Sequence, residues 1–598
     1  MNRFGLIRRL SLFFVVGICL APAVSIGGDA AFDAWAEKLA AESVRMDPEG
    51  ATRAQYFSGE EQDKLDRMLT PITKAHREEE TAFARRALTE LAKFDREKLD
   101  AQQKVSARLI EWHMQQKLKG DAFEDHRLIF NQFRGLHVSL LQFLTQVHPI
   151  RNRRDAENYL ARLAQVAGKL DEGIAQTKDA AGRGFLMPDF ITKSAIGTLD
   201  RLLEGPAPTN ILVKSFDERL TKLKEVSAED RKSMTGAAEK LTRDEIIPAL
   251  ERVRGLLKEQ LPKTTADAGL WRLPQGKEAY SYALELFTTT PLEAREVHQI
   301  GLSEVERIEK EMDGLLKKLG YTEGRVKERF EKLNRDSQPK PAKEGELDPR
   351  VALLKRYEEI LADSLSKAQA LFDLQPKAPC VVVRELPFTE KTAAAHYTTP
   401  ARDGSRPGQF WVPLPGPEFK IINMRTLTYH EAIPGHHFQL ALVQELANLP
   451  RWRQDAVFGR NSANAEGWAL YAEQLAVEAG WYGDDVKGHL GQLEAELFRA
   501  KRLVSDTGLH AMQWTREQAI EYGIPVAETE RYVVMPGQAC SYKIGQLKIL
   551  ELRARAKKEL GEKFSLREFH NTVLRAGIVP LPVLETIVGD WIAGVRKG

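Results

Sequence analysis

Most of the N-terminal half shows the apolar spacing of amphipathic helices. Within residues 82–118, apolar side chains such as Leu88, Leu91 and Phe94 recur at three-residue intervals, with dense charge between them. The same periodicity predicts further helices over these ranges: 129–146, 155–176, 211–226, 244–260, 293–319 and 350–373. Proline-containing breaks are predicted at 205–208 and at 262–265. We interpret the mixed charge as solvated helix faces without a function of their own.

A change of composition after residue 373 predicts one small β-sheet. Residues 380–386 are mostly β-branched or aliphatic and lie between prolines, which is typical of a strand. Residues 395–399 and 409–414 are two shorter strand candidates. The second of these either presents a free edge that could pair with an extended peptide, or lies inside the sheet. The polar stretch 336–349 predicts an exposed loop, and helices resume at about residue 423.

The start of the chain has the layout of a secretory signal peptide. Three arginines among the first nine residues precede an almost wholly apolar run over residues 10–24, and small residues follow. We therefore predict a cleavable signal over residues 1–30 and a periplasmic or secreted protein. An uncleaved anchor and lipid attachment at Cys19 are the alternatives. No later apolar stretch is long enough for a transmembrane helix, so we expect no stable membrane insertion after cleavage.

Length and composition indicate a globular protein of more than one domain. The chain has 598 residues, of which 43% are hydrophobic and 29% are charged. A net charge of +2 gives no strong field, so nothing points to a nucleic-acid partner. Cys380 and Cys540 remain after removal of the signal. They are either buried free thiols or a disulfide, which the secretory compartment would permit.

The candidate chemistry concentrates in the segment His-Glu-Ala-Ile-Pro-Gly-His-His, residues 430–437. Three of the 13 histidines of the chain fall within these eight residues. A helical His-Glu followed one turn later by histidine is the zincin pattern, in which two imidazoles bind zinc and the glutamate activates a water. Zinc lowers the pKa of its water, and the neighbouring carboxylate, here Glu431, takes the proton. We therefore predict one Zn2+ per chain, with His430 as the first ligand.

The spacing of the histidines does not fit a regular helix. A six-residue separation between His430 and His436 corresponds to about 240° of rotation, whereas the usual four-residue separation leaves about 40°. Pro434 cannot donate a hydrogen bond to the carbonyl of His430, and Gly435 permits unusual backbone angles. We predict that these two residues loop out and return His436 to the face of His430. His437 is the alternative second ligand, and otherwise it supports the ligands or faces the substrate.

The third ligand is predicted on a helix that spans residues 461–475. A catalytic zinc needs three protein ligands and one open position, and Glu466 lies early in this helix beside Gly467, which allows close approach. Glu473 follows on the same helix face and could orient a ligand histidine through the other N–H of its ring. The alternative is that both glutamates are ordinary charges on the helix surface.

These motifs together resemble the bacterial domain-of-unknown-function 885 family, which is similar to the glutamate-zincin peptidases. The resemblance is specific over about residues 268–598, taken as the metallopeptidase-like catalytic region, and looser over residues 31–267, an N-terminal helical region that shares its cleft. The matching segments are 301–309, 403–408, 430–437, 466–471, 506–510, 536–543 and 569–570. The resemblance implies a largely helical, cleft-containing fold similar to angiotensin-converting enzyme, thimet oligopeptidase and the thermostable carboxypeptidases. Those enzymes have an unbroken HExxH, which this chain lacks.

A hydrolase of this kind also needs a donor for the oxyanion of the tetrahedral intermediate. Tyr542 is the first candidate. Other candidates, each of which could instead be a packing residue, are Lys543, Tyr532, His510 and His570. Asp506 lies four residues before His510 and could support the ligands with it. Arg402 and Arg406 could hold a substrate carboxylate through a forked contact.

The sequence therefore predicts a mainly α-helical zinc peptidase that acts on short or medium peptides. One alternative is a zinc hydrolase of another amide, such as a modified amino acid or a cell-wall peptide, which would use the same residues. The other is a non-enzymatic helical protein that holds a structural metal. The intact Glu431 argues against the second alternative, because a structural site needs no base.

Overall fold

The computed structural model describes residues 28–339, 348–386, 390, 393–402, 404–416 and 418–597. Nearly all of the predicted signal segment and most of the predicted loop at 336–349 lie outside these residues. In the described part, the protein is mainly helical and has one three-stranded sheet, as predicted. No described helix has both the length and the apolar character needed to cross a membrane.

Each predicted range of the N-terminal half contains helix, although residues 92–100 interrupt the range 82–118. Other helices, such as those over residues 30–46 and 189–202, lie outside the predicted ranges. Twelve α-helices are described in this half. They are α1 (Ala30–Met46), α2 (Pro48–Ala54), α3 (Gly59–Asp66), α4 (Lys74–Leu91), α5 (Ala101–Gly120), α6 (Leu136–Gln142), α7 (Arg153–Leu163), α8 (Val166–Gly182), α9 (Asp189–Leu202), α10 (Ile211–Leu220), α11 (Ala228–Leu241) and α12 (Ile247–Gln260). The predicted range 129–146 begins with a turn instead of a helix. The side chain of Asn131 accepts hydrogen bonds from the backbone N–H groups of Phe133 and Arg134, which favours a turn there.

In the C-terminal half, further helices precede and follow the strands of the sheet along the chain. They are α13 (Gly276–Thr288), α14 (Ala294–Lys318), α15 (Val326–Asp336), α16 (Pro349–Ala368), α17 (Met424–Glu431), α18 (His436–Glu445), α19 (Arg451–Gln454), α20 (Ser462–Glu478), α21 (Val486–Ala511), α22 (Arg516–Glu521), α23 (Val526–Val534), α24 (Ser541–Leu560), α25 (Leu566–Arg575) and α26 (Leu581–Lys597). Short π-helical turns cover Phe143–Val147 and Thr242–Ile246. Short 3-10 turns cover Arg96–Lys98, Asp121–Arg127, Ala207–Thr209, Leu261–Lys263, Leu270–Arg272, Ile421–Asn423, Gln538–Cys540 and Gly561–Lys563.

The sheet consists of the three predicted strands, β1 (Cys380–Arg384), β2 (His396–Thr398) and β3 (Gly408–Val412). β3 lies in the middle, parallel to β1 and antiparallel to β2, and Phe410 pairs with residues of both neighbours. The free-edge alternative for residues 409–414 is therefore wrong, because β3 has a hydrogen-bonded strand on each side. The side chain of Phe410 is fully buried, which explains why this strand is inside the sheet.

The apolar core contains residues from both predicted regions. One cluster includes Phe32 with Trp468 and Ile592, and a second includes Phe216 with Tyr532. Both regions thus contribute to each cluster, and the division between residues 267 and 268 stays a prediction. Two cysteines in the described part, Cys380 and Cys540, are free thiols, which agrees with the first of the two alternatives for them.

Two glycines allow α20 and α24 to come into direct backbone contact. A Cβ atom on Gly467 would lie 2.4 Å from the carbonyl carbon of Gly545, and one on Gly545 would lie 1.9 Å from the carbonyl oxygen of Ala463. This contact fixes Glu466, the neighbour of Gly467, next to the start of α24, where Tyr542 is located.

Replacing Gly467 by alanine should lower the free energy of unfolding by about 1–3 kcal/mol, since the added methyl group overpacks the helix contact. Gly314→Ala in α14 is the matched control, because a Cβ atom there meets open space. An exposed helical glycine replaced by alanine should gain about 0.5–1 kcal/mol. Denaturant unfolding of both variants measures the difference, and equal effects at the two positions would contradict the described helix contact.

Candidate metal centre

The break between α17 and α18 brings two distant histidines together. α17 ends at Glu431, α18 begins at His436, and residues 432–435 between them are not helical. The ring centroids of His430 and His436 lie 4.8 Å apart, with the rings almost perpendicular. The predicted break is therefore present, and it returns His436 to the side of His430.

Two contacts hold this break in place. Gly435 packs so closely on the preceding turn that a Cβ atom would lie 1.9 Å from the carbonyl oxygen of His430. The indole N–H of Trp468, in α20, donates a hydrogen bond of 2.9 Å to the carbonyl of Pro434. No role was predicted for Trp468, although it belongs to the motif at residues 466–471.

Three side chains that can bind a metal meet at this break: His430, His436 and Glu466. Their ligand atoms all lie within 4.8 Å of one another. Glu466 Oε2 is 3.4 Å from His436 Nε2 and 3.7 Å from His430 Nε2. A zinc ion with tetrahedral bonds of about 2.0–2.1 Å separates its ligand atoms by about 3.3 Å. The donor types and their spacing therefore fit Zn2+ better than direct hydrogen bonds, which are usually near 2.9 Å.

Glu473 fixes the orientation of His430. Its carboxylate accepts a hydrogen bond of 2.6 Å from Nδ1 of His430, and its side chain is only 1% exposed. Arg499 lies behind it, with Nη2 at 3.5 Å from the same oxygen. With the proton on Nδ1, the lone pair of Nε2 faces the other two ligands. The predicted orienting contact of Glu473 is present, whereas Arg499 was not predicted.

The charges of the ligand cluster are strongly coupled. Burial opposes a charge on His430, but the neighbouring carboxylates of Glu466 and Glu473 raise its pKa to about 9. Burial likewise opposes the charge of Glu466, yet His436 and His430 hold its pKa well below the ordinary value. Without a metal, a proton on His430 offsets part of the negative charge of the carboxylates. A divalent cation would displace this proton and bind more tightly as the pH rises.

Replacing Glu473 by glutamine should weaken Zn2+ binding by about 10- to 100-fold, since a charged partner of a ligand histidine is lost. Glu478→Gln is a suitable control on the same helix, because that carboxylate is exposed and pairs with Arg553. Competition with a chromophoric chelator measures both affinities. An unchanged affinity in Glu473→Gln would show that the contact with His430 does not support the metal.

Glu431 places a buried carboxylate beside the ligands. The residue is 7% exposed, and burial raises the pKa of its carboxyl against the opposing charges of His430 and His436. None of the hydrogen bonds found in the described part of the chain ends on this carboxylate. A carboxylate with a raised pKa and free oxygens is suited to accept a proton from water.

His437 contacts the sheet and not the ligand cluster. Its Nδ1 is 2.9 Å from the hydroxyl of Tyr397 in β2, and burial lowers its pKa to about 4. A Cβ atom on Gly408 of β3 would lie 2.6 Å from the same nitrogen. His437 therefore packs against the sheet, and the geometry favours His436 as the second metal ligand.

Tyr542 lies in the first turn of α24 with a half-buried side chain. The guanidinium of Arg502 stacks 4.4 Å from the centroid of its ring. Burial and then the charge of Glu466 raise the pKa of the Tyr542 hydroxyl, which therefore stays protonated at neutral pH. The role of this hydroxyl with an oxyanion stays a prediction.

Three other predicted residues of the C-terminal region form internal contacts of the fold. Lys543 is fully buried and pairs with Glu496 at 2.6 Å and Glu304 at 2.8 Å. Both ring nitrogens of His510 contact backbone groups, and Asp506 accepts a hydrogen bond from a buried tyrosine hydroxyl. None of these described contacts reaches the ligand cluster, so the expected oxyanion or supporting roles of these residues have no geometric support.

His570 and Arg406 also form contacts inside the fold. The Nε2 atom of His570 is 2.7 Å from the hydroxyl of Tyr471, and its Nδ1 contacts a backbone carbonyl. Arg406 donates a hydrogen bond of 2.8 Å to a backbone carbonyl in its own loop, and Arg402 pairs with Asp455. Neither arginine therefore has the free guanidinium that a substrate carboxylate would need. A sequence motif cannot distinguish such internal partners from a ligand.

The comparisons with known proteins agree on the fold and assign no activity. Residues 48–588 match the model of a family described as bacterial protein of unknown function (DUF885). The crystal structure of a "putative lipoprotein" from Colwellia psychrerythraea matches with a TM-score of 0.84 and 32% identity, over 94% of this chain and 99% of that one. A "putative lipoprotein of unknown function" from Shewanella oneidensis matches with a TM-score of 0.69 and 17% identity, over 93% and 99% of the two chains. None of the curated proteins matches this chain.

Proposed function

Since the chain belongs to the DUF885 family of bacterial proteins of unknown function, we propose its activity from the site itself: a zinc-dependent peptidase of short or medium-length peptides. The observation that carries this proposal is the convergence of His430, His436 and Glu466 beside the free carboxylate of Glu431. Three protein ligands leave one position of a tetrahedral zinc open, and a neighbouring base is needed only for catalysis.

Each residue of the site would have a separate role in hydrolysis. Zn2+, when bound, supplies the positive charge that polarises a carbonyl and lowers the pKa of water. Glu431 takes the proton of the attacking water and passes it to the amine that leaves, and a raised pKa suits both transfers. Tyr542 donates a hydrogen bond to the oxyanion, while Glu473 and Arg499 keep His430 in the required orientation.

We propose further that the site lies at the base of a cleft like that of the glutamate-zincin peptidases. The side chain of Glu466 is 21% exposed and that of Tyr542 is half-buried. Solvent therefore reaches the site from the side of these two residues. His430 and Glu431, by contrast, are almost completely buried. A site with one open side admits an extended peptide and excludes folded protein.

The proposed place of action is the cell envelope or the medium. The basic and then apolar start of the chain is typical of export, and the Colwellia relative is described as a "putative lipoprotein". Mass spectrometry of the intact protein from the envelope, medium and cytoplasmic fractions tests this proposal. A mature chain that begins near residue 30 is expected, whereas full-length protein in the cytoplasm would contradict it.

Mass spectrometry of a diverse synthetic peptide mixture tests the proposed activity. The mature protein is stripped of metal, reconstituted with Zn2+, and incubated with the mixture in the presence or absence of a chelator. We expect cleavage only in the zinc-loaded sample, and the cut positions separate exo- from endo-cleavage. If folded, zinc-loaded protein cleaves no peptide, the peptidase proposal is wrong, and another amide becomes the better substrate.

A further inference from the structure

The first turn of α24 is fixed against the helix that carries Glu466. The hydroxyls of Ser541 and Ser462 lie 2.7 Å apart, in addition to the glycine contact between α20 and α24. Ser462 and Glu466 are one helical turn apart in α20 and therefore lie on the same face of that helix. These contacts hold the backbone of Tyr542 beside the candidate metal centre, but they do not determine where its ring lies.

An arginine of α21 contacts the ring of Tyr542. The guanidinium carbon of Arg502 lies 4.4 Å from the ring centroid of Tyr542 and 4.6 Å from that of Phe498. A cation within about 6 Å of a tyrosine ring is attracted to the negative face of the ring. Since Phe498 belongs to the same helix as Arg502, this contact attaches the ring of Tyr542 to α21.

The guanidinium of Arg502 is itself held by hydrogen bonds. Its Nε donates a bond of 3.1 Å to the hydroxyl of Tyr532, and its Nη2 donates a bond of 2.9 Å to Oε2 of Glu528. The side chain of Arg502 is only 10% exposed. A planar guanidinium with these partners has little freedom to rotate, so it offers the ring of Tyr542 a fixed surface.

Glu528 does not need Arg502 to balance its charge. Arg531 binds this carboxylate with both sides of its fork, from Nε to Oε1 at 3.1 Å and from Nη2 to Oε2 at 2.9 Å. Burial of a second cation beside one carboxylate is costly unless another group stabilises it. Arg502 therefore adds a positive charge that the ion pair does not require, and that charge lies against the ring of Tyr542.

We infer that Arg502 is a positioning residue for the proposed hydrolysis: it fixes the ring of Tyr542 and strengthens the hydroxyl as a donor to the oxyanion. The inference rests on the proposed peptidase function and on the part of Tyr542 in it. A cation on the face of a phenol ring draws electron density from the oxygen, so the O–H group becomes more polar and a better donor. Arg502 acts through Tyr542 and not on the substrate.

The electrostatics of Tyr542 agree with this role. Burial and then the charge of Glu466 raise the pKa of the Tyr542 hydroxyl. The cations Arg502 and Arg531 lower this pKa, and so does a hydrogen bond with the side chain of Gln538. Loss of the positive charge at Arg502 should therefore raise the pKa and weaken the hydroxyl as a donor.

Kinetics of Arg502→Met test the inference in the zinc-loaded protein. Methionine fills a similar length without charge, and Glu528 keeps Arg531 as its partner, so the variant should fold. We expect kcat to fall by about tenfold, less than the roughly 10²- to 10³-fold loss that follows removal of an oxyanion donor. KM should stay the same, because the donor acts in the transition state. In a Tyr542→Phe background, Arg502→Met should have no further effect on kcat.

Arg516→Met is the matched control for a merely structural effect. Arg516 also lies over an aromatic ring, 5.3 Å from the centroid of Phe190, and pairs with Glu530 at 2.8 Å. Its substitution removes the same kinds of contact away from Tyr542 and should leave kcat unchanged. An equal loss of kcat from Arg502→Met with and without the Tyr542 hydroxyl would overturn the inference.

Fluorine NMR of protein that contains 3-fluorotyrosine tests the contact without turnover. Tyr542→Phe identifies the signal of position 542 by its disappearance. Arg502→Met should shift this signal and raise the pH midpoint of its titration, whereas Arg502→Lys keeps a positive charge and should keep the midpoint close to wild type. An unchanged signal in Arg502→Met would overturn the inference even if the wild-type protein cleaves peptides. The inference and the peptidase proposal therefore fail on different measurements.

Discussion

Replacing Glu431 by glutamine should lower kcat by about 10²- to 10⁴-fold, the usual contribution of a general base, while the zinc content stays the same. Glutamine keeps the shape of the side chain but cannot take a proton. The three ligand atoms of the site belong to other residues, so the metal should remain. Steady-state hydrolysis of a cleaved peptide and elemental analysis of the purified variant measure the two quantities.

The control for this variant is Glu478→Gln, which removes an exposed carboxylate of α20 and should leave kcat unchanged. A Glu431→Gln protein that keeps most of its activity would show that another group accepts the proton. A variant that loses both activity and zinc would show that Glu431 serves the metal and is not the base.

His436→Ala should reduce the affinity for Zn2+ by roughly 100-fold or more, because losing a ligand costs more than losing the partner of a ligand. His437→Ala should keep the zinc affinity. This substitution removes only the contact of His437 with Tyr397 and leaves a cavity beside the sheet. The two substitutions are adjacent and chemically identical, so each is the control of the other. Zinc titration of both metal-free variants measures the difference.

The opposite result, in which His437→Ala loses zinc and His436→Ala keeps it, would contradict the described ligand set. Thermal unfolding in the presence of a chelator separates a loss of folding from a loss of metal. We expect His437→Ala to unfold at a lower temperature than wild type, since its imidazole is buried against the sheet.

Local features of the fold were predictable because they depend on neighbours in sequence. Helical periodicity located α14 and α20, and β-branched composition located β1. The break before His436 was also predictable, since Pro434 and Gly435 exclude a continuous helix whatever surrounds them. The return of His436 to His430 follows from this break, whereas Glu466 was assigned to the cluster because a catalytic zinc needs a third protein ligand.

Partners far apart in sequence were not predictable. Nothing near Pro434 indicates that the indole of Trp468 binds its carbonyl, and nothing near Glu473 indicates that Arg499 lies behind it. For the same reason, Lys543 was taken for a site residue although it is a buried ion-pair partner. The inner position of β3 also depends on strand order, which composition alone does not determine.

Anomalous diffraction at the zinc absorption edge, from crystals of the mature protein grown with Zn2+, tests the central claim most directly. The claim predicts one ion per chain, within about 2.0–2.2 Å of a nitrogen of His430, a nitrogen of His436 and an oxygen of Glu466, with solvent in the fourth position. No ion at these residues, or an ion enclosed by four protein ligands, would contradict a catalytic metal centre.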